Sequence, residues 1–233
     1  MGTALLVEFY QQLPEPREGD SPRRSAQRFN AAMEAFKKQT AERYTEGTLQ
    51  RLLYAPNVES RRAAVLALGV LGTMACNEHL ARRLHDEDQG VRHLTADALW
   101  SLWFHADSEA SNKELQRLVR LRDMEKALAG LDGLIKKAPN FAEAYNQRAI
   151  VHFRMKEFQK SIADCARTLK LNRYHFGAQG GMAQCYMNLR KPRAALKAFR
   201  NAHRMNPELE GVEETIRALE NALGEEGKKD DKK

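Results

Sequence analysis

The sequence contains little of several residue types, and each shortage excludes a class of protein. Of 233 residues, 3 are cysteine, 7 proline and 14 glycine. Cysteines so few and so widely spaced fit neither a disulfide framework nor a zinc site, and they suit a reducing cytosol. No run of 18 apolar residues occurs, and residues 1–12 lack the basic start and cleavage site of a secretory signal. We therefore expect a cytoplasmic protein with no membrane partner.

The residues that are plentiful favour helices. Hydrophobic residues make up 42% of the chain and charged residues 30%, a mixture typical of globular proteins. Alanine, leucine, arginine, lysine and glutamate are abundant, and they are the strongest helix formers. Convincing alternating runs of β-branched residues are missing. The composition therefore predicts an all-α protein.

The net charge of +7 is concentrated in one segment. Residues 108–209 contain 20 basic and 9 acidic side chains, whereas residues 26–107 contain 10 of each. Such an excess is either a solvated surface or a phosphate-binding surface, and both interpretations stay open. Seven of these cations recur along two predicted helices: Lys160, Arg167, Lys170, Arg193, Lys197, Arg200 and Arg204.

An internal repeat runs through the same segment. Pro139 and Pro207 each end a helical pattern, and Arg173 occupies the position midway between them. Small residues recur at one place of the repeat, namely Ala127, Ser161 and Ala195. The place four positions later, where a large residue is expected, is occupied by Leu131, Cys165 and Phe199. The pattern resembles the tetratricopeptide repeat, a helix–turn–helix unit of about 34 residues. We call the offset between these copies the tetratricopeptide period.

The preceding segment repeats with a slightly shorter period. Residues 59–68 align with residues 90–99, and each stretch follows a short helical pattern and a turn. The two copies resemble HEAT repeats, which are also helix pairs, and we call their offset the HEAT-like period. That resemblance implies a structural role for Arg61 and Arg92, which would bond a neighbouring turn, with Asp88 as a partner.

These patterns together predict an all-α fold, a right-handed α-solenoid of helix–turn–helix repeats with HEAT-like units followed by tetratricopeptide repeats. The expected parts are a flexible N-terminal segment (residues 1–25), a capping helix with two HEAT-like repeats (26–107) and three tetratricopeptide repeats (108–209). A second capping helix (210–223) and a disordered charged tail (224–233) are expected to follow.

The sequence has no motif typical of catalysis, a metal or a cofactor. The histidines form no HExxH pair and the cysteines no CxxC pair. The glycines of 177–181 lack the lysine of a phosphate-binding loop, and we interpret them as a close approach of helices. Trp100, Trp103 and Phe104 are interpreted as core residues rather than a base-stacking surface. We expect a binding protein and not an enzyme, although a catalytic Cys–His pair remains an open alternative.

The tetratricopeptide resemblance implies protein–protein binding in a concave groove formed by the first helix of each repeat. The lysines and arginine that one subset of the family uses to bind chaperone C-termini are missing here, which argues against a chaperone-tail adaptor. The alternative is a nucleic-acid-binding solenoid that uses its basic convex face. The groove residues are Asn112, Gln116, Arg120, Asn146, Ile150, Phe153, Arg154, Gln184, Met187 and Asn188.

These groove residues predict the chemistry of the ligand. The asparagines suit the backbone of an extended peptide, and Arg120 and Arg154 favour a carboxylate. Glu109 and Glu143 are expected at the rim of the groove, which argues against a uniformly acidic ligand. We therefore expect a protein or peptide with one or two acidic residues and an apolar anchor. A competing interpretation is that the two arginines bond within the solenoid, for example to Glu157.

Overall fold

The computed structural model describes residues 2–14 and 21–224, and within these ranges the protein is all-helical. Thirteen α-helices and one short 3₁₀ helix occur there, with no β-strand. In the same ranges no helix is both long enough and apolar enough to cross a bilayer. The all-α prediction is confirmed, and the succession of helix pairs is that of an α-solenoid.

The chain divides into two compact units, which we call the N-terminal unit (Met1–Leu102) and the C-terminal unit (Trp103–Lys233). The sequence analysis placed this boundary after residue 107, whereas the structure places it inside a helix that continues to Phe104. The difference arises because Trp103 and Phe104 pack with residues of the C-terminal unit.

The N-terminal unit consists of a two-helix start followed by two helix pairs. The helices are α1 (Gly2–Gln11), α2 (Pro22–Arg43), α3 (Glu46–Leu52), α4 (Val58–Leu71), α5 (Asn77–Arg83) and α6 (Gln89–Phe104). Helices α5 and α6 begin one HEAT-like period after α3 and α4, as the sequence predicts. Asn57 and Asp88, one period apart, each accept a backbone N–H and begin the second helix of their pair.

Arg61 and Arg92 repeat the same contacts one period apart. Each guanidinium donates from Nη1 to the backbone carbonyls of the fifth and sixth residues before it, at 3.0–3.2 Å. Arg61 also forms a buried ion pair with Asp86 at 2.9 Å. The structural role predicted for both arginines is therefore confirmed. Asp88, however, pairs with Arg62. The HEAT-like assignment of these pairs stays a prediction.

Part of the segment predicted to be flexible, residues 1–25, is helical. Helix α1 buries Leu6 and Phe9 and packs against α4, so the prediction of flexibility is wrong for this helix. Helix α2 begins at Pro22 because Ser21 accepts the N–H of the third residue after it and a proline suits the first helical position. The predicted disordered tail lies outside the described residues except for Gly224.

The C-terminal unit contains three helix pairs and a final helix. Their bounds are α7 (Glu109–Leu118), α8 (Met124–Lys137), α9 (Ala142–Arg154), α10 (Phe158–Leu171), α11 (Phe176–Asn188), α12 (Pro192–Met205) and α13 (Val212–Leu223). Helices α8, α10 and α12 begin at equal intervals, and α11 follows α9 by the same interval. That interval is the tetratricopeptide period of the sequence, which is therefore confirmed.

The turns inside the second and third pairs have the same strained backbone. Lys156 and Arg190, one period apart, lie in the left-handed region with φ of 62° and 54°. In both turns the next residue donates its N–H to the carbonyl five positions earlier, at 2.8 and 2.9 Å. This is the hydrogen bond of a Schellman motif, which normally places glycine at the left-handed position.

Helix α13 covers the last repeat. Its buried residues Val212, Ile216 and Leu219 share one apolar cluster with Leu196 and Phe199 of α12. Burial of this apolar surface stabilises the end of the helix stack, where no further repeat follows within the described residues.

Candidate binding face of the C-terminal unit

Two of the ten predicted groove residues are buried inside the unit. Asn112 accepts the N–H of Asp107 at 3.2 Å and donates to its carbonyl at 3.0 Å. Asn146 donates to Oε1 of Glu143 at 2.9 Å. Both side chains are at most 9% exposed. The prediction that these asparagines bond a passing peptide is wrong, because their hydrogen bonds are made internally.

Three predicted residues are half-buried. Nε2 of Gln116 lies 3.2 Å from Nε2 of His105. Phe153 packs edge-on against Phe158, with ring centroids 5.5 Å apart. Ile150 lines a pocket described below. These residues present only part of their surface to a ligand.

The remaining five predicted residues are exposed. Gln184, Met187 and Asn188 lie along α11, where Asn188 donates to the carbonyl of Gln184 at 2.9 Å and Met187 is 41% exposed. Arg120 lies in the turn that follows α7, and Arg154 is the last residue of α9. The exposed part of the predicted groove is thus concentrated at the C-terminal ends of the three first helices.

The side chains of Arg120 and Arg154 have no hydrogen bond or ion pair with any described residue. The carboxylate of Glu157 instead contacts His152 and Lys160, each at 2.7 Å. The hydrogen bond from Lys160 and then that from His152 hold the pKa of Glu157 below its usual range. The interpretation that Glu157 neutralises the arginines is therefore wrong.

Glu143, which was expected at the rim, is fully buried at the start of α9. Its carboxylate accepts hydrogen bonds from Asn146, Gln147 and His175, the last two at 2.7 Å. Nδ1 of His175 accepts the N–H of Ala178 at 3.0 Å, so that nitrogen has no proton and Nε2 donates to Glu143. This network links α9 to the start of α11. The position of Glu143 in the repeat did not predict its contact with His175, because His175 lies just before α11, the first helix of the next repeat.

The ring of His175 also stacks on Trp103, with centroids 4.2 Å apart and planes inclined by 23°. Phe176 packs against the same indole at 5.1 Å. Trp103 is 1% exposed, which confirms its interpretation as a core residue.

Arg148 joins three helices behind the candidate face. Its guanidinium donates two hydrogen bonds to Asp164 of α10, at 2.7 and 2.8 Å, and one to Asp132 of α8 at 2.6 Å. The hydrogen bond with Asp164 raises the pKa of Arg148 more than its burial lowers it. Arg148 is therefore a structural cation, unlike Arg120 and Arg154.

A surface pocket lies between the α7–α8 turn and α9. Its lining includes Val119, Met124, Gln147, Ile150 and Arg154. Val119 and Met124 are 39% and 41% exposed, so their apolar side chains are accessible to a ligand. Ile150 and Arg154 were predicted from the sequence as site residues, but Met124 was not. Met124 begins α8, the second helix of the first repeat, and therefore lies outside the predicted groove positions.

Gly180 and Gly181 do not mark a close approach of helices. A methyl group added at Gly180 would meet no atom within 4 Å, and one added at Gly181 would lie at ordinary contact distance, 3.6 Å, from Cys165. The close-approach interpretation is therefore wrong for these two positions.

The cysteines lack the properties of nucleophiles. Burial raises the pKa of Cys76 and of Cys165 to about 12, and it also raises the pKa of Cys185. Thiols with such pKa values are protonated near neutral pH, which argues against a catalytic Cys–His pair. The described residues contain no group of three or more histidine, cysteine and acidic side chains that could hold a metal ion.

Several of the seven cations that recur along α10 and α12 are engaged within the protein. Arg200 pairs with Glu220 at 2.8 Å, and Lys160 pairs with Glu157. Arg167 donates to the carbonyl of Pro139 at 3.3 Å. These contacts reduce the charge that this surface can offer to phosphates.

Comparison with known proteins gives a related sequence and a number of similar folds, of which two are described. Over 97 residues the chain is 33% identical to a TPR repeat-containing protein of Rhizobium etli, a match that covers 42% of this chain and 48% of the relative. The chain thus spans about half the length of the curated relative it matches. No profile of a known protein family matches it.

The first similar structure is the first TPR domain of Spaghetti (RPAP3) bound to an HSP90 peptide, with a TM-score of 0.47, 20% identity and coverage of 51% of this chain and 97% of that one. The second is TTC0263, a TPR protein of Thermus thermophilus, with a TM-score of 0.38, 18% identity and coverage of 93% and 96%. The relative from Rhizobium and the repeat period observed in the C-terminal unit together support a tetratricopeptide-type architecture.

Proposed function

We propose that this protein is a scaffold that binds a protein or peptide segment on the face formed by α7, α9 and α11. The observation that carries the proposal is the pair of exposed arginines, Arg120 and Arg154, one period apart and with side chains that lack partners among the described residues. Arginine binds carboxylates with two parallel hydrogen bonds, so such a pair suits an acidic group on a ligand.

The proposed contact residues are those that the structure leaves accessible. Ile150 and Met187 offer apolar contact, and the polar contacts come from Gln116, Gln184 and Asn188 together with the two arginines. The two buried asparagines are excluded, and Phe153 contributes only its exposed edge. We further propose that the N-terminal helix pairs are HEAT-like, and that the protein acts in the cytoplasm by binding, without catalysis.

Site-specific photo-cross-linking in the native host tests this proposal. A photoreactive amino acid is placed at Gln116, Ile150 or Gln184, which share one place of the repeat on the first helices. The matched controls are positions 129, 163 and 197, which share one exposed place on the second helices. We expect the first set to capture a protein partner and the control set to capture much less of it. Capture only from the control set, or no capture from either set, would overturn the proposal.

A further inference from the structure

A row of cations follows the turns between the first and second helices of the three repeats. Arg120 and Arg154 lie one period apart, and so do Arg122, Lys156 and Arg190. All five side chains are exposed, and none has a hydrogen bond or ion pair with another described residue. We call this row the turn edge.

The acidic residues of the same turns do not neutralise the turn edge. The carboxylate of Asp123 accepts the backbone N–H groups of Glu125 and Lys126 and so begins α8. The carboxylate of Glu157 is held by His152 and Lys160. Because these two carboxylates have other partners, the five cations stay available to a ligand, and they outnumber the two carboxylates.

The pocket between the α7–α8 turn and α9 opens at this same edge. Arg154 is part of its lining, and Arg120 and Arg122 alternate along the chain with its lining residues Val119 and Leu121. An aliphatic side chain of a ligand that enters this pocket would therefore have cations on both sides. Charge and apolar surface together favour one kind of ligand, an acidic peptide segment with a single apolar side chain.

We propose that the turn edge is the docking site, within the scaffold function proposed above, for an acidic segment of a partner protein. One apolar side chain of that segment enters the pocket between Val119, Met124 and Ile150. Its flanking carboxylates bind Arg122, Arg154 and the neighbouring turn cations. The ligand thus contacts the turn ends of the repeats, next to the exposed residues of the first helices.

Two-dimensional NMR of the full-length ¹⁵N-labelled chain tests the proposal with defined probes. The first probe is an acetylated and amidated peptide, Glu-Glu-Leu-Glu-Glu. In the second the leucine is replaced by glycine, in the third the glutamates are replaced by glutamines, and the fourth is a single-stranded oligothymidylate. We expect the first peptide to shift the amide signals of Val119, Leu121, Met124 and Arg154, and the glycine peptide to bind about tenfold more weakly because the buried side chain is lost. We expect the glutamine peptide to shift these signals far less.

Charge reversal locates the contact. Arg154→Glu should abolish the shifts caused by the first peptide, whereas the matched control Lys170→Glu, on the second helix of the same repeat, should preserve them. Equal shifts from the leucine, glycine and glutamine peptides would overturn the proposal, as would stronger binding of the oligothymidylate to the same residues or no shift at these residues with the wild-type chain. If cross-linking still captures a partner from Gln116 and Gln184 in that case, the scaffold function stands and only the docking site is wrong.

Discussion

Nε2 of His175 lies 2.7 Å from Oε2 of Glu143, and both side chains are fully buried. The carboxylate has three donors, while the other imidazole nitrogen accepts the backbone N–H that begins α11. The pair therefore joins α9 to the residue that precedes α11.

Glu143→Gln should therefore destabilise the protein. Whichever way the new amide is oriented, its NH₂ group faces a donor, either Nε2–H of His175 or the side-chain amides of Asn146 and Gln147. We expect a loss of about 1–3 kcal/mol in the free energy of unfolding, measured with urea. The matched control is Glu109→Gln at the same place of the preceding repeat, where the side chain is exposed, and it should change stability by less than about 0.5 kcal/mol. Equal effects of the two substitutions would show that the buried network contributes nothing.

Glycine at the left-handed positions should stabilise the C-terminal unit. Lys156→Gly and Arg190→Gly each remove the steric cost of a side chain at positive φ, on the order of 1 kcal/mol. Arg122→Gly provides the control, because this residue has the same place in the first repeat without positive φ. Thermal unfolding should show a higher Tm for the first two variants and an unchanged or lower Tm for the control. A lower Tm for Lys156→Gly and Arg190→Gly would contradict the assigned turn geometry.

Truncation separates the last helix from the residues that follow it. Ending the chain after Gly224 removes no apolar side chain, so we expect the Tm to stay the same. Ending it after Leu209 removes α13 and exposes Leu196 and Phe199, which should lower the Tm and promote aggregation. The assignment of α13 as a cap fails if the two truncated chains unfold at the same temperature.

The pH dependence of stability should reveal the Asp88–Arg62 pair. Burial alone would raise the pKa of Asp88, but hydrogen bonds from the Val91 N–H and from Arg62 lower it below 3.8. A lowered folded-state pKa adds stability above the unfolded-state value, and this stability is lost as the pH falls through the folded-state pKa.

Asp88→Asn keeps a side chain that begins helices well but removes the charge. The variant should therefore be less stable than the wild type at pH 6, and this difference should shrink as the pH falls below about 4. Urea unfolding at both pH values measures it. A difference that stays constant with pH would show that the carboxylate charge is unimportant.

The repeats could be predicted because period and turn chemistry are local properties of the sequence. Both periods recur in the observed helix starts, and Arg61 and Arg92 have the structural role that their shared place implied. Helix α1 was missed because it is short and a Pro-containing segment follows it, so its burial of Leu6 depends on packing against α4.

The binding face was predicted only in part, for a physical reason. A place in the repeat specifies the side of a helix, but it does not specify whether a polar side chain finds an internal partner. Asn112 and Asn146 share one place and are both bonded internally, to a neighbouring backbone and to a buried carboxylate. Arg154 occupies another place, and its side chain has no such partner in the part of the chain that the structure describes. Only the three-dimensional arrangement distinguishes these cases.

The most direct test of the account is the affinity for the partner captured by cross-linking, measured by isothermal titration calorimetry. The double variant Arg120→Ala, Arg154→Ala should bind more than about tenfold more weakly, since two charge-assisted contacts are lost, while the circular dichroism spectrum and the Tm stay close to those of the wild type. The matched control is Lys170→Ala, Lys197→Ala, which removes the same charge from exposed positions on second helices and should bind as the wild type does. An unchanged affinity of the arginine variant together with a weakened control would contradict the account and would place the binding surface on the second helices.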